Sequence, residues 1–193
     1  MDSKSKKITA MSIAVIVIFT SIAAVIIYVV SLPKPTEAES MILDPQDIGT
    51  DWNGWDQSSV NIEIYSNETS SIYRELQNTT IGIKDIVHVF DRENDSLAAY
   101  DKLNSELKSS SFYKNITFLT GDNAYFSFGD KVCYYEYDGF PHLNILINRT
   151  MTVLWINADN FCMKVWYEFA LFEIAGLQAD KIDQFLAEHP GVS

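Results

Sequence analysis

The chain has 193 residues, with 26 Asp and Glu against 14 Lys and Arg, so that its formal net charge is −12 at pH 7. This acidic balance disfavours a nucleic-acid binder, because basic side chains are needed to bind the negatively charged phosphate backbone. A hydrophobic content of 47% excludes a wholly disordered chain, and two cysteines with three scattered histidines exclude a zinc-ribbon module.

Apolar residues are concentrated near the N-terminus, where residues 8–32 carry no charge and 20 of the 25 are apolar. A helix of this length extends about 37 Å, more than the roughly 30 Å hydrocarbon core of a bilayer. Lys4, Lys6 and Lys7 precede the stretch, so the positive-inside rule places residues 1–7 in the cytoplasm. We therefore predict an uncleaved signal anchor in a single-pass cell-membrane protein, with a cleaved signal peptide as the alternative.

Two prolines in residues 33–40 predict a short extended tether after the transmembrane helix. Residues 41–193 have the length of one domain and contain no internal repeat. The predicted organisation is a cytoplasmic N-terminus (1–7), a transmembrane helix (8–32), the tether (33–40) and one extracytoplasmic domain (41–193).

Alternation of apolar and polar residues predicts that β-strands dominate the outer domain. The predicted strands are residues 61–65, 71–77, 81–91, 124–128, 132–138, 143–148, 152–157 and 161–169. A helix capped by Asn94 or Asp95 and ending in the serine run 109–111 follows the third strand, and residues 172–188 predict a closing helix. The fold class is α+β, with a twisted antiparallel sheet, both helices packed on one face of it, and the transmembrane helix in front.

The sequence contains no known catalytic or nucleotide-binding motif. His88, His142 and His189 are isolated, and the acidic run 91–95 is interpreted as the start of a helix rather than a Ca²⁺ site. We therefore predict a protein that is not an enzyme and has no cofactor or metal. A hydrolase is the alternative, and it requires His88 or His142 within hydrogen-bond reach of a carboxylate or a cysteine in a cleft.

Cys133 and Cys162 both fall on predicted strands outside the membrane, where oxidising surroundings permit a disulfide. Two buried free thiols, packed as small apolar side chains, are the alternative. The sequence does not decide between these two states.

Aromatic residues form a candidate binding surface on the outer domain. Its members are Trp52, Trp55, Tyr134, Tyr135, Tyr137 and Phe140. Because Asn-Gly separates two tryptophans, residues 52–55 predict a tight type I′ hairpin. One interpretation of the aromatic set is a sheet buried between helices and loops, and the other is a platform for a glycan, an apolar ligand or a partner protein.

Five Asn-x-Ser/Thr sequences predict N-glycosylation and therefore water-facing loops. Their asparagines are Asn67, Asn78, Asn94, Asn115 and Asn148. Outside the membrane the chain has a net charge of −14, which also suits a solvated surface without nucleic-acid partners.

The segment 43–52, LDPQDIGTDW, combines a leucine, an Asp-Ile-Gly step and a tryptophan. It resembles the start of prokaryotic extracytoplasmic domains of the LpqN lipoprotein, PknH-sensor and PsbP-like group. The resemblance implies an α+β domain that is not an enzyme, and several domains of this group bind partners or apolar ligands. We therefore expect a membrane-anchored domain that binds a protein partner or assists a cell-envelope complex. A carrier or sensor of an apolar ligand or a glycan on an aromatic sheet face is the alternative.

Overall fold

The computed structural model describes residues 35–56, 65–119, 128–157 and 164–190. The chain divides into two compact units, Met1–Pro35 and Thr36–Ser193, and the described helices and strands all belong to the second. Its strands are β1 (Asn53–Asp56), β2 (Glu68–Gln77), β3 (Gly82–Phe90), β4 (Tyr113–Leu119), β5 (Lys131–Tyr137), β6 (Phe140–Ile147) and β7 (Thr150–Asn157). Its helices are α1 (Glu37–Met41), α2 (Pro45–Ile48), α3 (Glu93–Ser109) and α4 (Lys164–Glu188).

The seven described strands form one sheet in the order β1-β2-β3-β7-β6-β5-β4. Every neighbouring pair is antiparallel, as the sequence predicts. Helix α3 carries the chain from β3 in the middle of the sheet to β4 at its far edge. The following strands return one by one until β7 lies beside β3.

The two long helices pack on opposite faces of this sheet. Helix α4 and the short α1 cover the face that carries Ile83, Leu143 and Leu154, which we call the α4 face. Helix α3 packs on the other side, against Phe90 and Met151, and we call this the α3 face. The prediction that both helices share one face is therefore wrong. Because the central strands carry apolar residues on both sides, each side needs its own cover.

The domain begins earlier than the predicted tether allows. The Thr36 hydroxyl caps α1 by accepting a hydrogen bond from the Glu39 amide at 3.2 Å. Ala38 and Met41 on the same helix are fully buried in the core of the α4 face. Residues 36–40, which the sequence assigns to the tether, are thus part of the packed domain.

Helix α4 begins within a segment that the sequence predicts as a strand. Residues 161–169 alternate like a strand, but from Lys164 onward they are helical. The buried residues Leu171, Ile174 and Ile182 of the same helix repeat at helical spacing. This longer apolar stripe overrides the local alternation, since it packs the helix on the sheet.

Other local predictions also differ from the structure. Residues 52–55 form no hairpin, because Asn53–Asp56 is an edge strand that pairs with β2. Helix α3 ends at Ser109 as predicted, but its N-cap is Arg92 rather than Asn94 or Asp95. The strands predicted at 61–65 and 124–128 fall on residues that, apart from Tyr65 and Phe128, lie outside the described ones.

The predicted membrane anchor requires a correction. Residues 8–32 lie outside the described residues. Within the described ranges, no helix combines the length and the apolar composition needed to cross a bilayer. Helix α4 has 25 residues but contains charged side chains along its whole length. The prediction of a single-pass protein with its domain outside the cell membrane is contradicted by this finding.

Two glycines provide a matched test of the fold. Gly129 has φ +76°, and a Cβ there would lie 2.7 Å from Ile145 Cγ2 and 2.9 Å from the Leu146 carbonyl oxygen. Gly176 lies inside α4 with open space around its Cβ position. We expect Gly129→Ala to lower the free energy of unfolding by about 2 kcal/mol and Gly176→Ala to raise it by about 1 kcal/mol. Urea denaturation of both variants measures the difference, and equal effects would contradict the assigned backbone of Gly129.

Candidate functional site

A groove of about 240 Å³ opens on the α3 face, between helix α3 and the strands that the helix leaves uncovered. It is lined by Tyr65, Ile86, His88, Leu103, Tyr113, Tyr135, Tyr137, His142, Val153 and Trp155. Most of these side chains are aromatic or aliphatic. The volume is below the roughly 300–1,000 Å³ of pockets for drug-sized ligands, so a compound of one or two rings fits its size.

A ladder of stacked rings forms one wall of the groove. The His142 ring lies between Trp155, at 5.9 Å and 7° between planes, and Tyr135, at 5.0 Å and 25°. Tyr73 extends the ladder beyond Trp155, with ring centroids 6.0 Å apart. Neighbouring rings cover both faces of His142, and the Tyr137 ring lies nearly perpendicular to it, with ring centroids 6.1 Å apart. Ring edges are electropositive, so they favour the π-face of another ring or an oxygen atom.

The ladder arises from the strand register. Trp155 pairs with His142 across β7 and β6, and His142 pairs with Tyr135 across β6 and β5. All three side chains therefore project from the same face in one row across the sheet. Helix α3 packs on Met151 and Leu146, which lie two rows further along the same face, and so leaves the row of the ladder accessible at its side.

The titratable groups of the ladder are neutral near pH 7. Burial lowers the pKa of His142 to about 4, although the backbone carbonyl of Phe140, 3.0 Å from Nδ1, acts in the opposite direction. Burial also raises the pKa of the Tyr113 and Tyr135 hydroxyls above their ordinary value. The wall thus presents apolar rings without a formal charge.

A histidine and a carboxylate lie together at the other end of the groove. His88 Nδ1 is 3.3 Å from Glu68 Oε2, and the two side chains are only 3% and 4% exposed. The Tyr65 ring meets the His88 ring edge to face at 5.2 Å, and the Tyr65 amide donates to the same Glu68 oxygen at 2.9 Å. This separation is within the reach that the sequence names as the condition for an enzyme, although Nδ1 has no hydrogen bond of normal geometry among the described residues.

Two lysines lie over rings at the rim of the groove. Lys84 Nζ is 5.9 Å from the Trp155 ring centroid, and Lys102 Nζ is 5.3 Å from that of Tyr65. Both distances lie within the range of a cation–π contact. Each lysine therefore covers one face of its ring. The edges of the rings between the two lysines remain uncovered.

The structure divides the predicted aromatic surface between the two faces. Tyr135 and Tyr137 line the groove. Tyr134, Phe140 and Trp52 instead pack against the core of the α4 face. The Trp55 side chain lies outside the described residues. These six residues therefore do not form one surface.

Trp155, His142, Tyr113 and Tyr65 belong to the groove but not to the predicted set. Each is separated from Tyr135 by a strand or a turn, so no local sequence pattern connects them. The signal that was available is alternation, because Trp155 lies in the predicted strand 152–157 and His142 directly precedes the predicted strand 143–148. Pairing those strands in the observed register would have joined them.

Cys133 is fully buried on the α3 face and forms no disulfide with a described residue. Burial raises its pKa to about 12, so it is not a nucleophile at neutral pH. Cys162 lies outside the described residues, and the disulfide stays a prediction.

Several of the predicted glycosylation asparagines have structural roles, in turns or, for Asn115, at an irregularity of strand β4. Asn67, Asn115 and Asn148 have φ angles of 63°, 52° and 51°, a conformation that asparagine tolerates better than most residues. The Asn78 side-chain oxygen accepts from the Thr80 and Ile81 amides. Asn94 is exposed in the first turn of α3. Turn chemistry thus accounts for several of these asparagines, and their glycosylation stays a prediction.

No group of three or more potential metal-ligating side chains occurs among the described residues. In the acidic run 91–95, Asp95 Oδ1 accepts a hydrogen bond from the Asn67 side chain at 2.8 Å. Glu93 and Asp95 lie in the first turn of α3, where negative charge is favourable.

No protein-family model matches the chain, and no curated protein matches it. The resemblance of residues 43–52 to lipoprotein-like domains stays a prediction. The function is therefore argued from the groove itself.

Proposed function

We propose that this protein is a binding domain that holds a small, flat, apolar ligand in the groove of the α3 face. The observation that carries the proposal is the ladder of Trp155, His142 and Tyr135, an uncharged row of rings at the side of a groove. Large aromatic side chains without a binding role are commonly buried in the core of a protein. Here they border a groove between a helix and a sheet, which is a favourable site for a small apolar molecule.

The groove supports a small ligand better than a protein partner. Its concave shape and small volume match a compound of one or two rings, whereas a stable protein interface buries about 800 Å² on each partner. Phe112 and Tyr137 are 73% and 46% exposed and line a second, more polar hollow. Binding of the protein partner that the sequence predicts would be tested at this second hollow.

Fluorescence titration with prodan, a neutral two-ring probe whose emission rises in apolar surroundings, tests the proposal. We expect saturable binding to the full chain, and we expect Trp155→Ala to weaken it at least tenfold because the substitution removes one of the large rings of the ladder. Tyr137→Ala, which changes a half-exposed residue, provides a second groove variant that retains the buried ladder.

The matched control is Trp52→Ala, because Trp52 packs on the α4 face. This variant loses a tryptophan of the same size and should bind the probe like the parent protein. Circular dichroism verifies that each variant is folded. Equal loss of binding in Trp52→Ala and Trp155→Ala, or no saturable binding to the parent, would reject the groove as the site.

The contact between His88 and Glu68 favours a second candidate function, proton transfer to or from a bound molecule. A carboxylate that orients an imidazole is the arrangement of a general base. The described lining residues include no serine, threonine or cysteine, so the pair supports base-activated water rather than a covalent intermediate.

Release of 2-naphthol from 2-naphthyl acetate distinguishes the two functions. A binding domain should give the same slow release as its His88→Phe variant. Release by the parent that is at least a hundredfold faster and depends on His88 would favour the enzyme.

A further inference from the structure

The groove has a lysine at each end, and carboxylates surround the lysine at the Tyr65 end. There, Lys102 Nζ is 3.9 Å from Glu106 Oε1, and Lys102 lines one hollow together with Asp95. The Tyr65 amide donates to the Glu68 carboxylate at 2.9 Å. Acidic side chains therefore offset the charge of Lys102 at this end of the groove.

The lysine at the Trp155 end lies in different surroundings. The strand register pairs Lys84 directly with Trp155, and Nζ lies 5.9 Å from the centroid of that ring. Lys84 forms no ion pair with a residue that the structure describes. Its partner on β2 is Glu75, whose Oε2 accepts a hydrogen bond from the Tyr73 hydroxyl at 3.5 Å. The half-buried Lys84 ammonium is thus a positive charge at the groove rim that a ligand can approach.

We propose that the ligand of the groove is a flat ring compound with an acidic group, and that the resulting anion pairs with Nζ of Lys84. The described lining residues include no carboxylate, and the ring ladder is neutral near pH 7. No charge in this part of the lining opposes an anion. The inference rests on the proposed function, because it names the ligand class of the same groove.

The acidic surface of the chain does not outweigh this contact. A net charge of −12 repels anions at long range. At physiological ionic strength, however, exposed charges are largely screened beyond about 8 Å. An ion pair beside an apolar groove forms in surroundings less polar than water, where opposite charges attract each other more strongly. The neighbouring lysine therefore determines the preference for an anion more than the distant acids do.

The strand register also sets the direction of the ligand. Ile86 and Val153 are cross-strand partners that line the groove between its two ends. On β3, His88 lies four residues from Lys84, which is about 13 Å at about 3.3 Å per residue. A two-ring compound thus lies over Ile86 and Val153, with its acidic group at Lys84 and away from Glu68.

Three naphthalenes of nearly the same shape and different charge test the inference. They are 2-naphthoate, 2-naphthamide and 2-naphthamidine, which are an anion, a neutral compound and a cation at pH 7. Displacement of prodan from the full chain measures their affinities. We expect 2-naphthoate to bind about fivefold more tightly than 2-naphthamide, and 2-naphthamidine to bind more weakly than both.

Equal affinity of the three compounds, or a preference for the cation, would overturn the acidic group while leaving the proposed function intact. Absence of binding by all three compounds and by prodan would instead reject the groove itself. The two failures are therefore distinguishable.

Variants of the two lysines locate the charge. Lys84→Met keeps an unbranched apolar side chain and removes the ammonium, so it should bind 2-naphthamide within about twofold of the parent and lose the preference for 2-naphthoate. Lys84→Arg should retain the preference, since the charge remains. Lys102→Met is the matched control at the other end and should also retain it. A preference that survives Lys84→Met, or disappears in Lys102→Met alone, would overturn the assignment to Lys84.

Ionic strength provides a test on the parent protein that needs no variant. Raising the salt concentration from 50 mM to 500 mM should reduce the preference for 2-naphthoate over 2-naphthamide at least twofold, because a pair at the rim is partly screened. The affinity for 2-naphthamide should not fall. A preference for 2-naphthoate that is the same at both salt concentrations would contradict an ion pair as its origin.

Discussion

Replacing Asp85 by asparagine is expected to raise the free energy of unfolding by about 2 kcal/mol at pH 8 and to lower it by about 2 kcal/mol at pH 3. Asp85 is fully buried and projects from the α4 face of β3, like Ile83 and Val87 on the same strand. Its Oδ1 accepts a hydrogen bond from the Thr152 hydroxyl at 2.9 Å, but Oδ2 has no partner among the described residues.

The pH dependence follows from the direction of the pKa shift. Burial raises the pKa of Asp85 to about 7, and the Thr152 hydrogen bond and the charges of Arg74 and Lys181 offset only part of that effect. Below the ordinary pKa near 3.8 the carboxyl is protonated in the folded and the unfolded chain, so it costs nothing. Between pH 3.8 and about 7 only the unfolded chain releases the proton, and stability falls by about 1.4 kcal/mol per pH unit.

Asparagine has the shape of aspartate and never ionises, so it removes this loss. The full loss at pH 8 is about 4 kcal/mol, and we expect about half of it to be recovered. The amide nitrogen needs an acceptor in a buried place, which costs about 2 kcal/mol at every pH and is the whole effect at pH 3.

Urea denaturation at pH 3, 5.5 and 8 measures the effect. Asp91→Asn is the matched control, since it makes the same substitution on an exposed residue of the same chain segment and should change stability by less than about 0.5 kcal/mol. A stabilisation by Asp85→Asn of equal size at pH 3 and pH 8 would show that the buried carboxyl does not titrate in this range.

Asp85 also illustrates how far the sequence predicts the sheet. Alternation locates β3 to within one residue at each end, because Ile83, Val87 and Val89 mark the buried face clearly. Asp85 projects from the same face of β3 as these residues, but the pattern does not indicate whether it is buried or exposed at a strand edge. Burial depends on β7 and α4, which approach β3 only in the folded chain.

The faces of the helices show the same limit. The apolar stripe of α3, with Tyr100 and Leu107, predicts that this helix packs against another element of the domain. It does not specify the side of the sheet, because both sides of β3 and β7 are apolar. The crossover from β3 to β4 takes α3 over one face, which leaves the other face for α4.

The groove depends on contacts that no single segment encodes. Tyr135 and Tyr137 are predictable as part of an aromatic strand, and they line the groove. Tyr134 is equally aromatic, but it stacks on Phe172 of α4 at 5.9 Å on the opposite face. Only the strand phase and the position of both helices separate a residue of the groove from a residue of the core here.

Replacing His142 by phenylalanine is expected to protect the protein against acid. The His142 ring is held between Trp155 and Tyr135, and burial lowers its pKa to about 4 from an ordinary value of 6.5. Above pH 6.5 the imidazole is neutral in the folded and the unfolded chain. As the pH falls from 6.5 towards 4 only the unfolded chain takes up the proton, so the folded state loses stability.

This loss reaches about 2 kcal/mol at pH 4.5 in the parent protein, and His142→Phe should not show it. Phenylalanine keeps a ring between its two neighbours, whereas it loses the contact of Nδ1 with the Phe140 carbonyl oxygen, so we expect a cost of about 1 kcal/mol at pH 7. Urea denaturation at pH 7 and 4.5 should therefore give curves whose order reverses between the two conditions.

His189→Phe is the control, because this histidine is exposed and stacks only on Phe185, with ring centroids 4.3 Å apart. Its stability profile should follow that of the parent protein. The same pair of variants connects stability to binding, since a charged His142 would place an ion in the wall of the groove. Probe affinity in the parent should fall below pH 5 and remain constant in His142→Phe. An equal fall in both proteins would show that a group other than His142 makes binding sensitive to acid. That result would reject the neutral ladder as the feature that makes the groove suitable for an apolar ligand.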